Sequence, residues 1–307
     1  TIVVPLAIGF CISNRELRLS KLLMAVAFGC SLGGMNTLIG TPVNLVARTT
    51  VDEAGLGSIG FFEFAKFGIP MNIVAVLFMY FIGYKILPGV PIDLESLRFR
   101  EDASVMSPRK QWTVLGVFLL VVLGMSLESI LGIPVYIIAF IGVALLFFTR
   151  TITDRQAYSY IEWPAVFIVA GILPLAGAMT KTGAADLIAD KVIGLVGPGA
   201  SVHVFIAALF LLVCFLTQIM SNTACAALLL PVGVSLANGL GCDPMAVIFT
   251  ISIAAQCSLA TPLATPHNTY IMGIAGYKFS DFLKAGLPLC LIAFLLSICL
   301  IPLIWAF

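Results

Sequence analysis

The chain has 307 residues, of which 61% are hydrophobic and 10% are charged, and its mean hydropathy is +1.12. Because an ordinary soluble domain carries about 25% charged residues, this composition excludes a water-soluble globular protein. The net charge of +1 provides no basic face that could neutralise phosphates, so we expect no nucleic-acid partner. The composition instead predicts an all-α polytopic membrane protein surrounded by the lipid bilayer.

Long apolar runs predict membrane-spanning helices along most of the chain. The predicted spans lie near residues 21–50, 64–87, 112–131, 133–149, 163–180 and 284–306. Two shorter apolar arms, 204–216 and 224–237, flank a polar tip, and an interrupted run covers 244–277. A spanning helix needs about 20 apolar residues, so we expect each arm to reach only the middle of the bilayer. This makes 204–237 a re-entrant helical hairpin.

The polar tip of this hairpin is the most informative feature of the chain. It contains Thr217, Gln218, Ser221, Asn222 and Thr223. Irregular backbone at this depth is tolerated only where protein buries it or where it lines a cavity. The tip therefore predicts a binding site for a solute or an ion inside the membrane.

The distribution of Lys and Arg indicates the orientation of the spans. Basic residues form four groups along the chain: Arg15, Arg18 and Lys21; Lys85, Arg98, Arg100, Arg109 and Lys110; Arg150 and Arg155; and Lys278 and Lys284. The positive-inside rule places these groups on the cytoplasmic side, provided that 204–237 does not cross the membrane. The loop 88–110 is then cytoplasmic, and the amphipathic segment 182–200 lies at the outer surface.

An octet of residues occurs twice in related form. Residues 37–44 read Thr-Leu-Ile-Gly-Thr-Pro-Val-Asn, and residues 261–268 read Thr-Pro-Leu-Ala-Thr-Pro-His-Asn. Because proline removes a donor and disfavours helical geometry in the residue before it, we expect the helices to be unwound at Thr41 and Thr265. In the orientation above, one broken helix runs outward and the other inward. This pattern is typical of an inverted-repeat transporter with two broken helices.

The repeat also predicts a second hairpin tip. Pro231 follows Ser221 by ten residues and precedes the second broken helix, and Pro5 holds the matching place before the first. The counterpart of the hairpin tip is then expected just upstream of Thr1. On this interpretation the chain lacks its N-terminal part, including the first hairpin tip.

These motifs together resemble the divalent anion:sodium symporter family of the broader ion transporter superfamily. The resemblance extends in pattern across all 307 residues and rests on Ser221-Asn222-Thr223, Ile39-Gly40-Thr41-Pro42-Val43-Asn44 and Ala264-Thr265-Pro266-His267-Asn268. The family often has a second proline where Val43 and His267 stand. The resemblance implies a secondary active transporter, not an enzyme, that carries di- or tricarboxylates or sulfate together with sodium by alternating access.

The resemblance also implies how the chain is organised and where it resides. Residues 1–87 and 201–307 correspond to a transport domain that moves as a rigid unit, and residues 88–110 form a cytoplasmic loop. Residues 111–200 correspond to scaffold helices of a homodimer. We expect an integral, multi-pass protein of a bacterial inner membrane.

The resemblance assigns residues at the tips to two kinds of ligand. The small anionic substrate is expected to contact Asn222, Thr223, Thr265, Pro266, Thr41 and Pro42. Sodium is expected at one site formed by Thr217, Asn222 and the backbone at Met220 and Ala264, and at another site near the backbone of Gly40. Sodium ions act as the coupling ions, and no other cofactor is expected.

The residues themselves favour sodium over protons as the coupling ion. All fifteen acidic residues, from Glu16 to Asp281, lie in connectors or near the ends of predicted spans. A charge at the bilayer centre costs at least ~2.5–3.5 kcal/mol, and a proton-coupled transporter is expected to retain a buried acid. Carbonyls freed by unwinding can bind sodium without a charged side chain, and helix N-termini can bind an anion without an arginine.

Other interpretations remain open at this stage. A related permease could export arsenite or exchange sodium for protons, and a channel could contain re-entrant arms. An intramembrane enzyme would need Ser221, His267 and Asp243 as its reacting set, and Asp243 lies at a membrane surface. Asn222 could only cap the returning arm, and Thr217 could bond within its own helix. His267 could contact substrate, respond to pH or line the cavity.

Overall fold

The computed structural model describes residues 7–11, 17–90, 107–161, 163–197 and 201–305. These residues form helices joined by turns, and this part of the chain contains no strand. Most of the predicted cytoplasmic loop, residues 91–106, lies outside the described residues. The fold class is all-α, as the composition predicted.

The helices are labelled in chain order. Their bounds are α1 (Leu19–Gly33), α2 (Pro42–Glu53), α3 (Ala65–Ile86), α4 (Pro108–Ser126), α5 (Glu128–Leu131), α6 (Val135–Phe148), α7 (Asp154–Tyr160), α8 (Trp163–Thr182), α9 (Ala184–Val196), α10 (Val202–Thr217), α11 (Asn222–Leu240), α12 (Pro244–Gln256), α13 (Pro266–Ala275) and α14 (Phe279–Ile304). A 3-10 turn, Gly34–Asn36, follows α1. α3 contains a π-helical turn, Met79–Gly83, near its end.

Within the described residues, five helical segments are long and apolar enough to cross a membrane. They are α1 with the turn that follows it, α3, α4, α11 and α14. Large apolar side chains on these segments are exposed, among them Val76, Phe118 and Leu295, as a lipid-facing surface requires. The predicted span 133–149 forms the apolar helix α6, which has 14 residues. These helices support an integral, multi-pass membrane protein.

The predicted hairpin is formed by α10 and α11, which residues 218–221 connect. α10 has 16 residues, whereas α11 has 19 and is itself long and apolar enough to cross a membrane. The second arm is therefore longer than the predicted 224–237. The reason is that Asn222 and Thr223 join the first turn of the helix, and the polar Asn238 near its end does not interrupt it. By its length α10 is too short to cross the membrane, as predicted for a re-entrant arm, whereas α11 is long enough to cross it.

Both predicted helix breaks are present. α1 ends at Gly33 and α2 begins at Pro42, while α12 ends at Gln256 and α13 begins at Pro266. α1 packs against α13, and α2 packs against α12. Because the first half of each broken helix lies beside the second half of the other, the two run in opposite directions. This is the packing of an inverted repeat.

One glycine of α3 and one of α14 pack tightly against the two unwound segments. A Cβ added at Gly68 would lie 2.6 Å from the carbonyl oxygen of Met35, and a Cβ added at Gly286 would overlap the carbonyl group of Leu259. Met35 and Leu259 are 224 residues apart, as are the two octets. Each glycine is followed two residues later by a proline. A Gly-x-Pro motif is therefore a further element of the repeat.

We predict that Gly286→Ala destabilises the protein, because the added methyl group forces α14 away from the backbone at Leu259. Overpacking of this kind costs about 1–3 kcal/mol. Gly273→Ala is the matched control, since Gly273 is also helical and nothing lies within 4 Å of the added Cβ. Thermal unfolding of the full-length variants in detergent should show a lower Tm for Gly286→Ala alone. Equal Tm values for the two variants would contradict this packing.

An ion pair joins α2 to α5, the short helix between α4 and α6. The Arg48 guanidinium donates to both carboxylate oxygens of Glu128, at 2.9 Å from Nη1 and 2.7 Å from Nη2. The two side chains are 19% and 17% exposed, so water screens the pair only in part. Glu128 also accepts a bond from the backbone nitrogen of Val135 at 3.3 Å. The pair connects the predicted transport domain to the predicted scaffold.

We predict a pH-dependent contribution of this pair to stability. Hydrogen bonds from Arg48 lower the pKa of Glu128 below its ordinary value of 4.5. The stabilisation is therefore fully present above that value and is lost as the pH falls through the lowered pKa. Glu128→Gln should cost about 1–3 kcal/mol at neutral pH, and the difference in Tm from the wild type should narrow below about pH 4.

Asp52→Asn is the control for this measurement. Asp52 lies 3.6 Å from Arg48 Nε, and its side chain is 46% exposed. A partly exposed ion pair of this kind contributes little, so Asp52→Asn should leave Tm nearly unchanged at either pH. An effect of Glu128→Gln that stays the same from neutral to acidic pH would contradict the assignment.

Candidate ion and substrate site

The C-terminal end of α12 is the point at which the predicted site residues meet. α12 begins after the exposed Asp243, which caps it by accepting a bond from the nitrogen of Met245 at 2.8 Å. Its 13 residues extend about 20 Å, which is less than the roughly 30 Å of the hydrocarbon core. We therefore expect α12 to end inside the membrane, where the carbonyls of its last turn need partners.

The hairpin tip supplies two of those partners. Thr217 Oγ1 lies 2.7 Å from the carbonyl oxygen of Ala255 and 2.9 Å from Asn222 Oδ1. Gln218 donates from Nε2 to the carbonyl of Cys257 at 2.9 Å. The alternative in which Thr217 bonds within its own helix is therefore wrong, because Ala255 belongs to α12. The tip of the hairpin is bonded to the end of α12.

Ser221, and not Asn222, caps the returning helix. Ser221 Oγ accepts a bond from the backbone nitrogen of Ala224 at 3.3 Å, and the Ser221 backbone is extended. Asn222 is the first helical residue, and its side-chain oxygen lies beside Thr217. The alternative in which Asn222 only caps the helix is therefore wrong. Thr223, the third residue of the motif, is 9% exposed.

One asparagine holds each unwound segment. Asn44 donates from Nδ2 to the carbonyls of Gly34 at 3.2 Å and Thr37 at 2.8 Å. Asn268 donates at 3.4 Å and 3.1 Å to the two carbonyls at the equivalent positions of the second repeat. Both asparagines are fully buried. The asparagine that closes each octet therefore satisfies two backbone carbonyls that the helix break has freed.

The two Thr-Pro pairs begin the second halves of the broken helices. Thr41 and Thr265 have extended backbones, and Pro42 and Pro266 occupy the first helical position. Proline is favoured there because the first N–H of a helix has no partner within it. Both prolines therefore start helices and do not kink them, and both are exposed in the described structure.

The residues predicted to offer backbone carbonyls to sodium lie outside the helices. Met220 is in the bend between α10 and α11, and Ala264 precedes Thr265 in the second unwound segment. Gly40 packs so closely against Gly34 that an added Cβ would overlap the carbonyl oxygen of that residue. The roles of these residues as sodium ligands stay predictions.

Gln256 is a site residue that sequence analysis missed. As the last residue of α12, it accepts a bond from Thr41 Oγ1 at 3.0 Å and donates to Asn44 Oδ1 at 2.8 Å. A lone amide at the end of an apolar half-helix, directly before an unwound segment, is the signal that could have identified it. A second contact joins the two repeats. The Nε2 atom of His267, which belongs to the second octet, lies 2.6 Å from Ser31 Oγ near the end of α1. Each half of the repeat thus contacts the other.

Several buried oxygen atoms at the second unwound segment and the hairpin tip have no hydrogen-bond partner within the described residues. They are Gln218 Oε1, Ser258 Oγ, Thr265 Oγ1 and Asn268 Oδ1. The equivalent oxygens of Thr41 and Asn44 in the first segment are bonded to Gln256. A buried polar atom without a partner costs free energy, and neutral oxygens are ligands for hard cations. The side chains at this end of the site are therefore compatible with sodium.

Comparison with known proteins identifies the family. Residues 1–254 and 202–307 match the CitMHS family, described as citrate transporter. The chain belongs to this family. The match places the chain in the ion transporter superfamily to which the motifs pointed, and among transporters rather than enzymes.

Individual relatives carry transporter names as well. The chain is 32% identical over 215 residues to the uncharacterized transporter YfbS of Escherichia coli, covering 70% of this chain and 35% of that protein. It is 27% identical over 289 residues to the sodium-dependent dicarboxylate transporter SdcS of Staphylococcus saprophyticus, covering 86% and 55%. It is 27% identical over 307 residues to the uncharacterized transporter MJ0672 of Methanocaldococcus jannaschii, covering 95% and 66%. The chain therefore spans 35% to 66% of the length of these relatives.

Proposed function

We propose that the protein containing this chain is a secondary active transporter that moves a small di- or tricarboxylate, or sulfate, together with sodium. The observation that carries this proposal is the meeting of the hairpin tip and both unwound segments around the end of α12. The contacts there are made by neutral oxygens, amides and backbone carbonyls. Such groups can bind a cation and an anion in turn without a permanent charge inside the membrane.

The geometry of the hairpin tip favours a cation. Thr217 has one hydroxyl proton but lies near two acceptors, and the carbonyl of Ala255 is the closer of them at 2.7 Å. When the proton is on that bond, Thr217 Oγ1 and Asn222 Oδ1 present lone pairs to each other at 2.9 Å. A sodium ion beside these oxygens would convert their repulsion into shared coordination. The backbone carbonyls of Met220 and Ala264 would complete the site.

The anion would bind at the helix N-termini nearby. α2, α11 and α13 each begin next to an unwound or bent segment, and their first N–H groups carry partial positive charge. The substrate contacts in this proposal are Asn222, Thr223, Thr265, Pro266, Thr41 and Pro42. Bound sodium adds positive charge at the same place, so each ligand should increase the affinity for the other. Gly40 would contribute its carbonyl to a further sodium site.

The names of the relatives bear on the substrate class. SdcS is named a sodium-dependent dicarboxylate transporter, and the family is described as citrate transporter. Both names favour a carboxylate as the anion and, in the case of SdcS, sodium as the coupling ion. In this proposal the protein lies in a bacterial inner membrane as a homodimer, with 111–200 as its scaffold and 1–87 and 201–307 as the moving domain.

We predict that an inward sodium gradient drives uptake of labelled succinate or citrate into proteoliposomes that contain the full-length protein. Thr217→Val should raise the sodium concentration for half-maximal uptake about tenfold, which corresponds to one lost polar contact. Thr217→Ser keeps the hydroxyl and should retain most of the affinity. Thr250→Val is the matched control, because Thr250 is buried in α12 and donates to Ala246 in its own helix at 2.7 Å.

The outcomes separate the possible substrates and mechanisms. Sodium-driven uptake of sulfate alone would assign sulfate as the anion. Uptake of none of these anions under a sodium gradient would contradict the proposal. Arsenite export or sodium–proton exchange by the same proteoliposomes would support a related permease instead.

A further inference from the structure

Gln256 uses both ends of its side chain at the junction of the two repeats. It is 2% exposed. Its Oε1 accepts from Thr41 Oγ1 at 3.0 Å, and its Nε2 donates to Asn44 Oδ1 at 2.8 Å and to the carbonyl of Ser252 at 3.0 Å. One amide therefore orients the threonine before α2 and the asparagine that holds the first unwound segment.

The residues on either side of Gln256 contact the hairpin tip. The carbonyl of Ala255 accepts from Thr217 at 2.7 Å, and the carbonyl of Cys257 accepts from Gln218 at 2.9 Å. Residues 255–257 thus form hydrogen bonds with both the hairpin tip and the first unwound segment. A displacement of the hairpin tip that strains these bonds acts on the backbone that carries Gln256.

The second repeat shows that this amide is not needed to hold an unwound segment. The octets are offset by 224 residues, so the counterpart of Gln256 is Leu32, which is buried and whose side chain cannot form a hydrogen bond. Asn268 makes both of its backbone bonds without such a partner. Thr265 Oγ1 and Asn268 Oδ1 remain unpartnered within the described residues. The amide is therefore an addition to one half of the site.

We propose that Gln256 is a positioning residue that couples sodium at the hairpin tip to anion binding at the N-terminus of α2. This inference rests on the proposed sodium-coupled transport. Sodium at Thr217 and Asn222 fixes the tip against the end of α12, and that end holds Gln256 against Thr41 and Asn44. In this proposal Thr41 and Asn44 are held in place for the anion only when sodium occupies the hairpin tip. The second repeat has no amide link of this kind, because Leu32 stands in the equivalent place and the contact there runs from His267 to Ser31 Oγ at 2.6 Å.

The test measures KM for the anion at low and at saturating sodium, in proteoliposomes of the full-length protein. Gln256→Leu should raise KM at saturating sodium about tenfold, as expected for the loss of its bonds to Thr41 and Asn44. It should also reduce, at least about threefold, the factor by which sodium lowers KM. Ser252→Ala is the control, since its hydroxyl bonds to Ile248 within α12 and KM should not change.

A double-mutant cycle shows whether Gln256 acts through Thr41. Thr41→Val and Gln256→Leu together should raise KM by less than the product of the two single factors, because both remove the Thr41–Gln256 bond. A purely structural role for Gln256 would lower the amount of active protein and the maximal rate without changing the sodium effect on KM. If Gln256→Leu does not reach the membrane, the isosteric Gln256→Glu, whose carboxylate cannot donate to Asn44, replaces it.

The two proposals fail in different ways. Wild-type uptake with no sodium dependence would overturn the proposed function and this inference together. Sodium-dependent wild-type uptake with an unchanged sodium effect on KM in the Gln256 variant would overturn this inference alone. A reduced sodium effect in the variant, with Ser252→Ala unchanged, is the result that the structure leads us to expect.

Discussion

The structure depends on one constraint, which is that backbone groups released inside a membrane must find partners within the protein. α12 ends after 13 residues, and the carbonyls of Ala255 and Cys257 receive bonds from the hairpin tip. Asn44 and Asn268 satisfy the carbonyls released at the two helix breaks. The polar contacts that hold the breaks open are also the contacts that build the candidate site.

Both halves of the inverted repeat satisfy the released backbone groups in the same way, with one difference. Both halves use a buried asparagine, a Thr-Pro helix start and a glycine packed on the unwound backbone. Only the second half supplies an amide, Gln256, to the other half, where the equivalent residue is Leu32. The side-chain oxygens of Thr41 and Asn44 are bonded to Gln256, whereas those of Thr265 and Asn268 have no hydrogen-bond partner within the described part of the chain. The two halves of the repeat therefore share the same backbone arrangement but differ in the hydrogen bonds of the candidate site.

The sequence was sufficient to predict the helix breaks, because proline at positions 42 and 266 has a strong local effect. It also predicted most of the long apolar helices. It did not predict the full length of α11, because Asn222, Thr223 and Asn238 bound the apolar run in the sequence but belong to regular helical turns. It could not predict the contacts of Gln256 or the Arg48–Glu128 pair, because their partners lie 212, 215 and 80 residues apart. Such contacts follow from tertiary packing, which local patterns do not encode.

The central claim is that ligands bind where the helices are interrupted, and hydrogen–deuterium exchange of the full-length protein tests it most directly. Sodium together with the transported anion should slow amide exchange in peptides that cover residues 34–41, 218–224 and 257–269. Exchange in the control helices α4 and α6 should not change. Protection confined to other segments, or none at the three interruptions despite measured transport, would contradict the account.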